Sequence, residues 1–218
     1  MSVKDIGESD FKELLLACHE ISSLFPEGVI FIGGIAVYFH TINSDATREL
    51  AEFTHDADFY ISLADMADLR DMEEVVANRR LSKHQLIKRG FEFDIYTERH
   101  SALIVPYDQV AAYSVKYDAI RVACLEHLFV LKLEAYRDRH ASAKGQKDAN
   151  DLIRIALAAS ALQKPLNSEL IIGYLSDDHQ KLLGAIQRGA QFMSLAKGNA
   201  KQAKNLREKF ARALKDFS

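Results

Sequence analysis

The chain has 218 residues, of which 48% are hydrophobic and 27% charged, with a formal net charge of −3. A chain of this length buries roughly 70% of its unfolded surface, and its composition excludes disordered and collagen-like classes. No apolar run approaches the ~18 residues of a membrane helix, and the N-terminus does not resemble a secretion signal. We therefore expect a globular protein of the reducing cytoplasm, without a membrane partner, in which Cys18 and Cys124 are buried thiols.

The first part of the chain predicts a helix, a strand and a second helix in sequence. Apolar residues at helical spacing predict a helix over residues 9–25, and an apolar run at residues 29–32 predicts a short buried strand. Gly33 and Gly34 follow this run directly and lead into a second apolar segment that ends in polar residues. This stretch therefore predicts a strand, a glycine turn and a short helix.

The next segments predict a sheet. Alternation with a period of two predicts strands over residues 55–63 and 91–96, with weaker strands over 84–88 and 102–105 and a helix over 65–79. In the first of these strands the acidic residues alternate with apolar ones, which is typical of a strand with one face in the core. These elements indicate a mixed sheet with helices on it.

The second half of the chain is helical in pattern. Helices are predicted over residues 125–139, 147–160, 177–196 and 199–217, with a further one capped by Asn167 or Ser168. We therefore expect the α+β class. An N-terminal mixed sheet flanked by helices would occupy residues 1–118, and a C-terminal α-helical lobe residues 119–218.

Three aspartates carry the chemistry that the sequence suggests. Asp56 and Asp58 lie two residues apart on a predicted strand, so their carboxylates project from one face. Asp94 lies on the polar face of a second predicted strand. If the strands are neighbours, the three carboxylates converge and suit Mg²⁺ or Mn²⁺, and the glycine turn can present backbone N–H groups to phosphates. Each signal alone is weak, since solvated acids at a strand end are common.

In this order, the blocks FIGGIAV, FTHDADFYIS and FEFDIY resemble the DNA polymerase beta-type nucleotidyltransferase superfamily. The second half extends the resemblance through LEHLFVLK at residues 125–132, Arg139, and the Lys147–Leu152 segment KDANDL. These blocks resemble the abortive-infection nucleotidyltransferases, the toxin-like proteins of bacterial type IV toxin–antitoxin systems. The resemblance covers roughly residues 28–158. It departs where many relatives carry an arginine before the aspartate pair, because this chain has Glu52-Phe53-Thr54-His55 there.

The resemblance implies a metal and catalytic set. Asp56 and Asp58 would ligate the nucleotide-bound metal, and Asp94 would complete a second metal and help deprotonate the acceptor. Asp148 would act in the helical lobe by positioning Lys132 or the acceptor.

The resemblance also implies nucleotide-binding residues. Gly33 and Gly34 would cradle phosphates, Lys132 would reach a triphosphate oxygen, and Thr54 and Lys147 would contribute. The alternative for Lys132 is a side chain that snorkels from its helix, and Asp148 with Asp151 could instead be first-turn acids that complement a helix dipole.

The function that follows is transfer of a nucleoside monophosphate from an NTP to an acceptor hydroxyl, with release of pyrophosphate. The acceptor stays open between an RNA 3′ end such as that of tRNA, a protein hydroxyl and a small molecule. RNA would bind the C-terminal helix through phosphate contacts. From Lys197 onward the chain has seven Lys or Arg residues and only two acidic residues. The other basic cluster, Arg79 and Arg80 with Lys83, is interpreted as a solvated turn.

Two other functions are compatible with the sequence. The first is a non-catalytic nucleotide-sensing module that keeps its carboxylates. The second is docking of an antitoxin or a second copy on the apolar stripe of Leu206, Phe210 and Phe217, and the alternative is that this stripe packs on its own domain.

Overall fold

The computed structural model describes residues 7–99 and 101–217, and within them the protein falls into two compact units. The first, here the sheet unit, holds the chain up to Phe39 together with Glu52–Cys124. The second, here the helical unit, holds His40–Ala51 together with the chain from Leu125 onward. The expected α+β class is confirmed.

Within the described residues, the sheet unit carries a seven-stranded mixed sheet. Its strands in chain order are β1 (Ile30–Ile32), β2 (Asp56–Ile61), β3 (Val75–Asn78), β4 (Lys83–Lys88), β5 (Phe91–Thr97), β6 (Val115–Tyr117) and β7 (Ile120–Val122). They lie side by side in the order β3-β4-β5-β2-β1-β7-β6. The β2–β5 and β1–β7 pairs are parallel, and the other neighbouring pairs are antiparallel.

The two faces of the central strands differ in chemistry. Phe59 of β2 and Phe93 of β5 are fully buried, and their rings lie 6.3 Å apart between centroids. Because side chains alternate along a strand, the opposite face of the same strands carries Asp58 and Asp94. The alternation seen in the sequence therefore separates a core face from an acidic face, as predicted.

The helices of the sheet unit flank these strands. They are α1 (Glu8–Leu24), α2 (Gly33–Ile42, which enters the helical unit at its last residues), α3 (Leu63–Met72) and α4 (Tyr107–Ala112). The apolar stripe of α1 is buried, as its spacing predicted. Cys18 and Cys124 are buried and not in a disulfide, which confirms the expectation for both thiols.

Two predicted elements of the sheet unit are wrong. The helix expected over residues 65–79 ends at Met72, and Val75 and Val76 instead begin β3, which pairs with β4; β-branched pairs favour a strand when a partner strand is available. The segment 102–105 is not a strand. Its Val105 carbonyl accepts a hydrogen bond from the Tyr60 hydroxyl at 2.6 Å instead of from a neighbouring strand. The short β6–β7 hairpin was not predicted.

The helical unit is built from helices that pack in sequence. They are α5 (Leu125–Arg139), α6 (Ala143–Ala161), α7 (Asp177–Arg188), α8 (Gln191–Leu195) and α9 (Ala200–Ala213). Helix α6 packs against both α5 and α9. The stripe of Leu206, Phe210 and Phe217 is buried, and Phe210 contacts Phe192 of α8. The stripe therefore packs within its own unit, and the suggestion that it docks a partner is wrong.

The helices begin and end where local capping decides. Helix α6 starts at Ala143 rather than at Lys147, because the Ser142 hydroxyl accepts a hydrogen bond from the Gly145 N–H at 3.1 Å. The segment predicted as one helix over residues 177–196 is broken after Arg188. The residues after Asn167 form two short 3₁₀ helices, Ser168–Leu170 and Ile172–Tyr174, instead of an α-helix.

The division between the units differs from the predicted boundary at residues 118/119. Strand β7 pairs with β1 through Phe31 and Val122, so the chain belongs to the sheet unit until Cys124. The segment 40–51 joins the helical unit, where the Arg154 Nε donates to the Leu50 carbonyl at 2.8 Å. In the part of the chain that the structure describes, no helix combines the length and apolar character that crossing a membrane requires.

Candidate functional site

Gly33 and Gly34, here the glycine turn, follow β1 directly and are the first two residues of α2, and both allow a close approach. Gly33 has a φ of +61°, in the region that favours glycine, and a Cβ there would lie 2.2 Å from the Asp58 Oδ2. A Cβ on Gly34 would lie 2.8 Å from the Thr54 Oγ1. The glycines thus leave the space in which Asp58 and Thr54 lie. The partial positive charge at the start of a helix favours an anion at that position.

Thr54 holds the carboxylate of Asp56. Its hydroxyl is buried and donates to the Asp56 Oδ1 at 2.9 Å, while Asp56 itself is exposed. A fixed hydrogen bond of this kind restricts the carboxylate to one orientation. The predicted contact of Thr54 with a nucleotide stays a prediction.

Asp94 lies beside Asp58. Strands β2 and β5 are parallel neighbours, and their register pairs Asp58 with Asp94 and Asp56 with Glu92. Neighbouring strands are about 4.8 Å apart, so the expectation that these strands adjoin is confirmed. We call the face of β2 and β5 that carries Asp56, Asp58 and Asp94 the carboxylate face.

The Asp94 carboxylate is held by two side chains of β4. Its Oδ2 accepts a charged hydrogen bond from the Lys83 Nζ, and its Oδ1 accepts one from the Gln85 Nε2 at 3.2 Å. The side chains of Lys83 and Asp94 are only 12% and 18% exposed. The interpretation of Lys83 as part of a solvated turn is therefore wrong. Alternation over residues 83–88 places Lys83 and Gln85 on one face, but the pairing of β4 with β5 cannot be read from a single sequence.

The donors on this face suit a divalent cation in kind. Asp56 and Asp58 offer hard carboxylate oxygens of the type that Mg²⁺ and Mn²⁺ prefer. Within residues 7–99 and 101–217, however, no three His, Cys, Asp or Glu side chains are grouped so that they could hold a metal ion. Among the described residues the three aspartates therefore do not form a metal site, and Lys83 engages the third carboxylate. Cation binding by Asp56 and Asp58 stays a prediction.

A second cluster of charges lies inside the helical unit. The Lys132 Nζ is 2.7 Å from the Asp151 Oδ2 and 3.5 Å from the Asp148 Oδ1. Arg139 donates to both carboxylate oxygens of Asp148, at 2.7 and 3.0 Å. Arg154 donates to the Asp151 Oδ1 at 2.9 Å. We call these five side chains, of which four are buried and Arg139 is exposed, the buried charge network.

The burial of these side chains indicates a structural role for the network. Asp148, Asp151, Arg154 and Lys132 are only 1%, 2%, 5% and 8% exposed. Burial raises the pKa of Asp151, but Lys132 and Arg154 outweigh it, so that pKa lies below its ordinary value. Ions this deeply buried cost several kcal/mol each unless they are paired. Snorkelling of Lys132 and a first-turn role for the two aspartates are both wrong.

Arg154 was not predicted to belong to this network. Asp151 and Arg154 are three residues apart on one helix, and this spacing allows an ion pair. The ion pair could therefore have been predicted from the sequence. The proposed phosphate contacts of Lys132 and Lys147, and a catalytic part for Asp148, stay predictions.

Comparison with known proteins bears on the fold. No protein-family model matches the chain, and no curated protein matches its sequence. An antigenic nucleotidyltransferase-like protein from Paracoccidioides brasiliensis matches with a TM-score of 0.50 and 16% identity, over 89% of this chain and 95% of that one. The Megavirus polyadenylate synthase matches with a TM-score of 0.50 and 15% identity, over 98% of this chain and 51% of that one. This chain thus spans about half of the viral enzyme.

JHP933 from Helicobacter pylori has a TM-score of 0.48 and 12% identity, over 97% of this chain and 94% of that one. At such identities the likeness concerns the fold, and a fold alone does not assign an activity. The chain has the fold of nucleotidyltransferase-like proteins.

Proposed function

We propose that the protein transfers a nucleoside monophosphate from an NTP to an acceptor hydroxyl and releases pyrophosphate. The observation that carries this proposal is the carboxylate face, in which Asp58 lies both against Gly33 at the start of α2 and beside Asp94. This arrangement lies on the fold shared with nucleotidyltransferase-like proteins. Neither the glycine turn nor the aspartates would carry the proposal alone.

The residues of this face have distinct tasks in the proposed reaction. The backbone N–H groups at the start of α2 would face the phosphates of the NTP, and Thr54 would hold Asp56 in one orientation. Asp56 and Asp58 would hold Mg²⁺ or Mn²⁺. The chemistry that such a cation supplies is neutralisation of charge on the triphosphate.

Asp94 would act on the acceptor side. Once it is released from Lys83, its carboxylate would take the proton of the acceptor hydroxyl as a general base. The acceptor oxygen would then form a bond to the α-phosphorus, and the bond from the α-phosphorus to the bridging oxygen would break. The leaving group is pyrophosphate.

The acceptor that we favour is an RNA 3′ end, such as that of tRNA. One structural neighbour is a polyadenylate synthase, and the blocks of the helical half resemble the abortive-infection branch. On that resemblance we propose the toxin of a type IV toxin–antitoxin pair, with an antitoxin protein as partner.

A second candidate is a nucleotide-sensing module without turnover. The ion pair between Lys83 and Asp94 favours it, since that pair neutralises the carboxylate that the reaction would use as a base. NTP binding without a product is the expected behaviour of such a module.

The test incubates the purified full chain with each α-labelled NTP, Mg²⁺ or Mn²⁺, and either total RNA or a cell lysate. The variant Asp56→Ala/Asp58→Ala removes the site, and Asp68→Ala/Asp71→Ala removes two exposed aspartates of α3 as a matched control. Label in RNA that only the first variant loses supports the proposal. Label in protein moves the acceptor to a protein hydroxyl, and NTP binding without any label supports the sensing module.

A further inference from the structure

A groove of about 640 Å³ lies in the sheet unit, where β3 and β4 meet α3 and the chain after β5. Its cationic side chains are Arg70, Arg79, Lys83 and Arg99, with His84 beside them. Small or neutral polar residues complete the lining, namely Ala77, Asn78, Ser82, Ser101 and Ala102. Among the residues that the structure describes, no Asp or Glu lines it. We call it the basic groove; its volume lies in the range of ~300–1,000 Å³ that is typical of ligand sites.

The basic groove suits phosphate groups. Arg70 donates to the His84 Nε2 at 2.7 Å, which holds the guanidinium at the groove wall. Arg79 and Arg99 are exposed and present planar donor groups that match phosphate oxygens in pairs. Several positive groups along one groove raise the local concentration of an anionic ligand.

The groove reaches the carboxylate face through one side chain. Lys83 lines the groove and also donates to Asp94. From Asp94 to the end of β5 at Thr97 is three residues, or roughly 10 Å along the strand, and Arg99 lies beyond that end. A ligand in the groove would therefore extend from the end of β5 towards the third carboxylate.

The order of the strands separates the groove from the glycine turn. The sheet runs β3-β4-β5-β2-β1 in this region, with the groove at β3 and β4, the carboxylates on β5 and β2, and the glycine turn after β1. If the NTP phosphates lie at the glycine turn, the groove faces the opposite side of the carboxylates. That is the side from which the acceptor must approach, since attacking and leaving oxygens are in line.

We propose that the basic groove binds the phosphates of a single-stranded RNA acceptor and leads its 3′ hydroxyl to Asp94. An RNA phosphate that pairs with Lys83 would draw this ammonium from Asp94, so that acceptor binding frees the carboxylate that takes the hydroxyl proton. This inference rests on the proposed function, because it names the acceptor class and its binding site.

The experiment measures binding of a fluorescein-labelled single-stranded RNA of mixed sequence to the full chain, with EDTA present and no NTP. The test variants are Arg79→Glu and Arg99→Glu. The matched control is Arg80→Glu, which reverses an exposed charge next to Arg79 but outside the groove. Each test variant is expected to bind at least about tenfold more weakly and to lower the salt slope by about 0.7, whereas Arg80→Glu changes affinity less than about twofold.

Several outcomes would overturn the inference. One is an equal loss in Arg80→Glu. Another is unchanged binding in both test variants while Lys201→Glu/Lys204→Glu on α9 loses binding, which would move RNA to the C-terminal helix. A third is displacement of the RNA by polyglutamate as readily as by unlabelled RNA, which would indicate a general polyanion surface. Thermal unfolding of each variant checks that these exposed substitutions leave the fold intact.

The binding assay also separates this inference from the proposed function. RNA binding that depends on Arg79 and Arg99, with no transfer in the labelling assay, would support the groove and remove the transferase. Transfer to a protein acceptor that Arg79→Glu and Arg99→Glu leave unchanged would support the transferase and overturn the groove.

Discussion

The carboxylate face and the buried charge network treat similar residues in opposite ways. On the carboxylate face Asp56 is exposed and the acids of two strands face each other across the register. In the buried charge network Asp148 and Asp151 are almost inaccessible, and each has two cationic partners. In the first arrangement Asp56 has a neutral hydroxyl partner and a single cation, Lys83, offsets the charge of Asp94. The second arrangement pairs each aspartate with two cations.

This difference shows why burial and charge pairing, rather than residue type, distinguish residues of a binding site from residues that stabilise the fold. Exposed like charges repel and reduce stability. They are therefore typical of a surface that binds a cation, or that binds an anionic ligand by way of a bound cation. Buried opposite charges that satisfy one another hold helices together but have little capacity left for a ligand. The aspartates of the helical unit are therefore expected to affect stability, and those of β2 to affect activity.

The largest expected effect follows from removing Asp151. The variant Asp151→Ala would leave Lys132 and Arg154 buried beside an apolar side chain, and we expect it to lower the free energy of unfolding by about 3–5 kcal/mol. Asp56→Ala on the carboxylate face is expected to change it by less than about 1 kcal/mol, because that side chain is exposed. Urea unfolding measures both. A loss below about 1 kcal/mol in Asp151→Ala would contradict the structural role of the network.

The next effect concerns Gly33. Gly33→Ala forces a side chain onto a φ of +61° and places its Cβ against the Asp58 carboxylate, so we expect a loss of about 1–3 kcal/mol in stability and loss of transfer. Gly173→Ala is the matched control, since its Cβ would meet open space. In the double variant with Asp58→Ala the strain is partly relieved, and a coupling of about 0.5–3 kcal/mol is expected. Additive losses would show that Gly33 and Asp58 do not contact each other.

Much of the fold could be predicted because its patterns are local. Helix α5 spans Leu125–Arg139, the same residues that its spacing predicted, and the alternation over β2 and β5 placed their core and acidic faces correctly. Strand β3 could not be predicted, because its residues become a strand only where β4 offers a partner. Local pattern thus predicts elements with a periodic apolar face and fails for short strands whose pairing decides their state.

The site could be predicted only in part, for the same reason. The neighbouring positions of Asp58 and Asp94 followed from two strands and the assumption that they adjoin. The contact of Lys83 with Asp94 depends on the antiparallel register of β4 with β5, which one sequence does not contain. The burial of Lys132 depends on how α5 and α6 pack, so a side chain expected to be free for a phosphate is held by Asp151.

A smaller effect is expected from Lys83, which connects the carboxylate face to the basic groove. In Lys83→Met the Asp94 carboxylate loses its internal cation, and we expect Mn²⁺ to bind about three- to tenfold more tightly, since a partly shielded pair contributes roughly 1 kcal/mol. Lys88→Met on the same strand is the matched control, because Lys88 pairs with Glu73 and Glu20 instead. Electron paramagnetic resonance of free Mn²⁺ measures the affinity. Equal affinities in both variants would mean that Asp94 takes no part in cation binding.

The smallest effect is a pH dependence that tests burial in the helical unit directly. His127 is 1% exposed, and burial lowers its pKa below the ordinary value of 6.5, against the smaller opposing effect of Glu126. The unfolded chain therefore takes up a proton near pH 6.5 that the folded chain does not, so stability falls as the pH drops below that value. One such group contributes a slope of at most about 1.4 kcal/mol per pH unit.

Urea unfolding between about pH 7.5 and 5.5 measures this slope, and the comparison is between slopes, since His127→Gln also changes core packing. The slope is expected to decrease in His127→Gln, and His55→Gln, which replaces an exposed histidine, is the comparison variant. Equal slopes in all three proteins would mean that His127 gains its proton in the folded state as easily as in the unfolded one. Burial would then not control ionisation in the helical unit, and the contrast with the exposed carboxylate face would lose its physical basis.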